Sequence, residues 1–345
     1  MAAVAMENAM STVTMEKVPQ LSVIIAAYNC APYLAGAIES ALGQGGLDLE
    51  VLVVDDASTD GTAEVARRYE KTGRVKLLVN EVNRGPSFSR NRAILAARGE
   101  WVAQLDGDDW FAPGRLVTLL QQATVSHADF IADDLFMVED STLQAVSTRF
   151  IDNGVPWQAV HCIGPLDLIR YDLGSIKPLI RRAFLVENSL VYEVGVNYGE
   201  DFLFLLKALL LGAKIMILPV PMYHLRRGNT GSLTTQRKHL FYQIENATKQ
   251  LIVDADVSQH ADVVAALRRR LGYVKRLAML EEVVQLVKRG KVVSVIRALV
   301  AAPKLISALL CRMPEMMRMR MRRYLRRKVL DQAHRPPGTE SANKF

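Results

Sequence analysis

The chain has 345 residues, half of them hydrophobic, and three cysteines, Cys30, Cys162 and Cys311, far apart and without a C-x-x-C pair. That length allows one large domain plus an appendage, and the cysteine usage excludes a disulfide framework or zinc knuckle and suits a reducing cytoplasm. The net charge of +7 is local: between Lys288 and Lys328 thirteen Lys and Arg stand against one acid, Glu315, so the remainder is net acidic. A general nucleic-acid face is therefore excluded in favour of a local electrostatic contact.

The first twenty residues lack the basic start and long apolar run of a signal peptide and are expected to be a flexible lead-in. Leu21 to Ala27 is a short apolar, β-branched run without alternation, as suits a strand covered on both faces. Tyr28-Asn29-Cys30 turns the chain into a helix from about Pro32, with Leu34, Ile38, Ala41 and Leu42 on its apolar face. Leu49 to Val54 is a second buried strand that stops at Asp55-Asp56, and Ser58 to Thr62 opens another helix with N-cap chemistry. Val75 to Val79 reads as a third strand, followed by a helix through Arg90 and Leu95, and Trp101 to Leu105 as a fourth. Strand and helix thus alternate four times, the signature of an open, mostly parallel α/β sheet, in which ligands bind at the carboxyl ends of the strands. Tyr28-Asn29, Asp55-Asp56 and Asp106 to Asp109 all fall at such ends.

The stretch Leu105-Asp106-Gly107-Asp108-Asp109 sets three carboxylates within four residues. Carboxylates this close raise one another's pKa, and a divalent cation offsets their charge. Gly107 would let the backbone turn sharply between the flanking acids. The plainer alternative is a solvated acidic turn with Asp109 capping the next helix. A dinucleotide-binding domain is excluded because no glycine follows the first strand, and no P-loop is present. A phosphatase D-x-D would follow the first strand, not the fourth.

Leu21 to Asn29 with Tyr33, Val53 to Thr62, Asn83-Arg84-Gly85 with Ser89-Arg90-Asn91, Leu105 to Asp109, and Gly199-Glu200-Asp201 together resemble family 2 glycosyltransferases of the GT-A fold, particularly bacterial exopolysaccharide enzymes of the succinoglycan type. The motifs cover about two-thirds of the chain, in family order and spacing. The resemblance implies that Ala27, Tyr28 and Asn29 border the nucleotide base and Asp56 bonds it, that Arg90 helps hold the nucleotide, that Asp106 faces the ribose, and that Asp108 binds Mg²⁺ or Mn²⁺ at the diphosphate. It further implies Asp201 as the general base, with Glu200 supporting. From the residues alone, an acid pair opening a helix is also ordinary dipole chemistry.

In the second half, Asp129 to Ala132 begins a fifth strand, and Asp133-Asp134 is expected in an exposed turn. Ser141 to Gly174 has no strong period and is expected on the acceptor side. Lys177 to Arg182 leads into a helix, with Arg181 and Arg182 read as solvated. Tyr223 to Thr234 is expected as a loop after the last strand, where Arg226 or Arg227 could close over the diphosphate and His224 could bind metal or serve only structure. Residues 21–235 are then the catalytic domain, 236–330 a helical region and 331–345 a disordered tail. Between Lys291 and Arg312 a narrow polar stripe runs along an apolar helix, and Arg318 to Lys328 follows as a basic run. Arg297 and Lys304 interrupt it too near the middle for a span, so an in-plane helix on an anionic membrane surface is expected.

The resulting expectation is an inverting, metal-dependent hexosyltransferase. It would move a hexose, glucose by family resemblance, from a UDP-sugar to a hydroxyl of a growing, lipid-linked saccharide on the inner face of the cytoplasmic membrane. A catalytically inactive sugar-nucleotide scaffold and a sugar nucleotidyltransferase are the rivals.

Overall fold

A computed structural model describes residues 18–196, 199–228 and 237–288. The predicted amphipathic membrane segment, the tail and most of the lead-in lie outside them.

Leu21–Ala27 (β1), Leu49–Asp55 (β2), Val75–Val79 (β3) and Trp101–Asp106 (β4) run parallel in the order β3-β2-β1-β4. Their lack of alternation has a simple cause, since both faces of the sheet are covered. Val23, Ile25, Val51, Val53 and Leu105 enter the main core beneath Leu34 and Ile38 of Ala31–Leu42 (α1). The intervening Ile24, Leu52, Val54 and Val102 pack instead on Ala93 of Gly85–Ala96 (α3). Thr62–Glu70 (α2) joins β2 to β3. Period-two patterning is present, but with apolar residues on both sides it is invisible in the sequence.

The second half extends the same sheet in mixed directions. It comprises Trp110–Phe111 (β5), Phe130–Glu139 (β6), Gln144–Thr148 (β7), His161–Ile163 (β8), Leu179–Arg181 (β9) and Ile215–Arg227 (β10). β9 lies antiparallel between β4 and β6, β10 is parallel to β6, and β5 closes that edge antiparallel. The helices here are Arg115–Ser126 (α4), Arg149–Asn153 (α5), Pro165–Arg170 (α6), Arg182–Glu187 (α7) and Glu200–Leu210 (α8).

Several expectations change in this half. Asp133 and Asp134 do not form an exposed turn: β6 runs straight through them, and their carboxylates are buried. Asp133 meets Arg115 at 2.6 Å, and the Arg115 guanidinium lies over the Phe111 and Tyr223 rings. Asp134 accepts the backbone N–H of Phe150. Tyr223 to Arg227 is not loop but the end of β10, whose ladder shifts register around Pro221. Proline cannot donate to the ladder, and the bulge absorbs that loss. Arg181 and Arg182 are partly buried and bonded, to Asp129 and to the Gly99 carbonyl.

Arg237–Val253 (α9) and Ala261–Lys288 (α10) pack on each other, and α10 also on α6. Leu251, Val263, Ala266 and Leu267 belong to the main core, so this helical region is an integral part of the molecule.

Candidate active site

The carboxyl ends of β1, β2 and β4 meet at one rim. Asn29, in the left-handed region at φ 47°, donates its N–H to Ser58 Oγ and accepts from Thr59 N–H, while Ala31 N–H donates to Asp60. These bonds lace the first two strand-helix loops together. Tyr28 is left half exposed on the rim. Asp56 stands just behind it, with Asn80 Nδ2 and the N–H groups of Arg84 and Gly85 all donating to its carboxylate at 2.6–3.0 Å. Ala27 is buried and accepts the N–H of Asp56. Neither lines the cleft.

The three acids after β4 have three different environments. Asp106 meets Lys177 Nζ at 2.8 Å and Arg90 Nη2 at 3.0 Å. Burial alone would raise its pKa, but Lys177 and Arg90 hold its carboxyl well below the usual carboxylate range. Asp109 points inward, accepting from Tyr223 Oη and the N–H of Arg226, both at 2.8 Å. Burial, then Asp108 and Asp106, push it well above that range. It therefore ties β4 to β10 and caps no helix; α4 begins only after Gly114. Asp108 lies on the cleft side, with Arg226 Nε donating to its carbonyl. Gly107 keeps an ordinary negative φ; its role is steric, because a Cβ there would stand 2.8 Å from Cys30 Sγ.

Across the cleft, Gly199 at φ 81° opens α8 and delivers Glu200 and Asp201. Asp201 meets Lys177 Nζ at 2.7 Å, Arg90 Nη1 at 3.3 Å and Gln104 Nε2 at 3.1 Å, and Glu200 meets Arg90 at 3.0 Å. Burial would raise the Asp201 pKa, yet Arg90 and Lys177 lower it, so the group is ionised at neutral pH. Arg226 pairs with Asp140 and lies over the Tyr33 and Trp110 rings, while Arg227 is exposed at the cleft edge. His224 is stacked between Trp110 and Phe136, off the cleft, and burial lowers its pKa. That is a packing role.

The resulting cleft, about 700 Å³, thus collects Tyr28, Asn29, Arg90, Asp106, Asp108, Glu200, Asp201, Arg226 and Arg227, and leaves out Ala27, Asp56 and His224. Arg149, Asp172 and Gly174, from the segment expected on the acceptor side, also line the cleft, together with Ser175 and with Arg270, which reaches from α10 to Asp172 and over the Phe202 ring and was not anticipated. Lys177 was also missed. A single charge inside the apolar run Ile176-Lys177-Pro178-Leu179-Ile180 was the available signal, because such a charge is buried only when partnered.

Among the described residues no three His, Cys, Asp or Glu converge as a metal cage. Asp106, Asp108 and Asp109 all line the cleft, Asp106 bonded to Lys177 and Arg90 and Asp109 to Tyr223 and the Arg226 N–H. A carboxylate such as that of Asp108 would fit a hard cation whose other positions were filled by phosphate oxygens and water.

The sheet order and this acid-lined rim define a GT-A fold. Solved structures agree: S. aureus TarS 1-349 in complex with UDP-GlcNAc superposes with a TM-score of 0.59 at 23% identity, over 73% of this chain and 72% of that one. The mannosyltransferase PcManGT from Pyrobaculum calidifontis, solved with GDP-Man and Mn²⁺, gives 0.53 at 17% identity, over 92% and 87%. In sequence, the Glycosyl transferase family 2 profile matches residues 22–184. The succinoglycan biosynthesis protein ExoU of Rhizobium meliloti is 35% identical over 265 residues, 73% of this chain and 75% of that protein. ExoO of the same organism is 34% identical, over 64% of this chain and 65% of that protein's length. The chain belongs to glycosyltransferase family 2.

Proposed function

We propose that the protein is an inverting hexosyltransferase of exopolysaccharide assembly, using a UDP-sugar, UDP-glucose first among them, and a hydroxyl of a lipid-linked saccharide. The observation that carries this reading is that Asp108 and Asp201 line one cleft, on a chain whose relatives ExoU and ExoO are named for succinoglycan biosynthesis.

Tyr28 and Asn29 border the base, and Arg90, through Asp106, fixes the wall against which the ribose lies. Asp108 would hold a Mg²⁺ or Mn²⁺, which would supply positive charge against the diphosphate oxygens of the departing UDP. Arg226 and Arg227 flank the same oxygens. Asp201 takes the proton of the acceptor hydroxyl as its oxygen bonds the anomeric carbon and the bond to UDP breaks. Because Asp201 is ionised, it accepts that hydroxyl's hydrogen bond from the start. Its weak basicity suffices, since the proton becomes acidic only as the new bond forms. Attack opposite the departing UDP inverts the anomeric centre.

The test is a screen of UDP-glucose, UDP-galactose, UDP-N-acetylglucosamine and GDP-mannose for Mn²⁺-dependent transfer to a membrane extract. Turnover with a uridine donor is expected. Donor binding without turnover in every case would instead favour an inactive scaffold.

A further inference from the structure

The ammonium of Lys177 sits at 2.8 Å from Asp106 and 2.7 Å from Asp201, carboxylates that come from β4 and from α8. Lys177 is almost wholly buried, at 5% side-chain exposure. Its backbone carbonyl is itself held, by Arg115 Nη2 from the buried Arg115-Asp133 pair, so the stem is anchored from beneath. An ammonium carries three donors on a flexible stem, and two of them here bridge groups that come from β4 and α8.

We infer that Lys177 is a positioning residue that fixes Asp201 against the donor-side wall and keeps its proton-accepting oxygen charged and in place. This rests on the proposed function and deepens it. Around Asp201 stand Arg90 from α3, Lys177, Gln104 and Asp106 from β4, Tyr192 (whose Oη donates to Gln104) and Glu200 on its own helix; Arg270 of α10 is turned to Asp172. Arg90 shares its charge among three acids, Asp106, Glu200 and Asp201. Lys177 serves two and is the partner of the Asp201 Oδ2 oxygen, so its loss leaves Asp201 with the divided charge of Arg90 and the neutral Gln104 amide, both on Oδ1.

Two experiments separate this from mere packing. The first needs no substrate: urea unfolding of the wild type, Lys177→Met, Asp201→Asn and the double variant. Strong non-additivity is expected, the second substitution costing little once the first is made. The second follows kcat and KM against pH with the donor the wild type uses. Lys177→Met and Lys177→Gln, the latter keeping a hydrogen-bond donor, are expected to lower kcat by about a hundredfold with donor KM little changed. Both are expected to move the acid limb of kcat up by about one pH unit. Lys177→Arg, which keeps the charge, retains the wild-type limb. An acid limb that stays in place in the charge-removing variants overturns the inference, as does an additive cycle. No turnover of any sugar nucleotide by the wild type counts against the proposed function, and the unfolding cycle then decides the role of Lys177 by itself.

Discussion

Replacing Asp108 by alanine removes a carboxylate that lines the cleft, while Asp106 and Asp109 keep the contacts they make with Arg90, Tyr223 and Arg226. The variant is expected to stay folded, to lose metal-enhanced UDP affinity, and to fall in transfer by at least about a hundredfold. Calorimetric UDP titration with and without Mn²⁺ checks it, and retained enhancement would remove Asp108 from the metal site. Asp201→Asn acts differently. A base works in the chemical step, so donor KM should hold while kcat drops by roughly 10²- to 10⁴-fold. Near-wild-type turnover would reassign the base. Residue chemistry also separates the thiols: burial, reinforced by Asp108, pushes the Cys30 pKa up to about 12, whereas Cys162 is exposed. At pH 8 iodoacetamide should label Cys162 and spare Cys30, as peptide mass spectrometry would show.

The turn that ends β4 packs its glycine against Cys30, the residue just before α1. Gly107→Ala would drive a methyl to 2.8 Å from Cys30 Sγ, with Ala26 O next at 3.5 Å. The expected cost is about 1–3 kcal/mol with weakened UDP binding, and Cys30→Ala in the same chain should recover much of both. Thermal unfolding of the two variants decides whether the contact, or the turn itself, is what glycine serves. At this scale the first half of the fold was legible: β1 to β4 announce themselves as apolar runs broken by Asp or Asn at the functional rim. The second half was not. β6 carries Asp133 and Asp134 where a strand interior should be apolar, and it takes Arg115, eighteen residues upstream, with the N–H of Met222 to make Asp133 tolerable. β10 contains two prolines, which argue against a strand until bulges are allowed for. The site followed the same division. Residues in compact motifs, such as Asp106 to Asp109 and Glu200-Asp201, fall together on the cleft, whereas Ser175 and Arg270 reach it through tertiary packing that no local pattern records.

For the whole molecule, the large positive charge lies beyond Lys288 and the described helices α9 and α10 are woven into the core. No helix among the described residues is long and apolar enough to cross a membrane. We propose that the segment from 291 to 328 lies in the interface of an anionic bilayer, each basic residue adding on the order of 1 kcal/mol near the surface. A chain cut before Gly290 should keep its fold and lose cosedimentation with phosphatidylglycerol vesicles at low salt; undiminished cosedimentation would dismiss the membrane role. The charge lattice of Arg90, Asp106, Lys177, Glu200 and Asp201 has a consequence of another kind. It draws on sequence positions more than a hundred residues apart, and stranding any one buried charge costs roughly 3–5 kcal/mol, a large share of the whole stability of a domain. A chimera joining the first 150 residues of this chain to the second half of a relative should therefore fold and work only where both parents carry the same pattern of sign at these five positions.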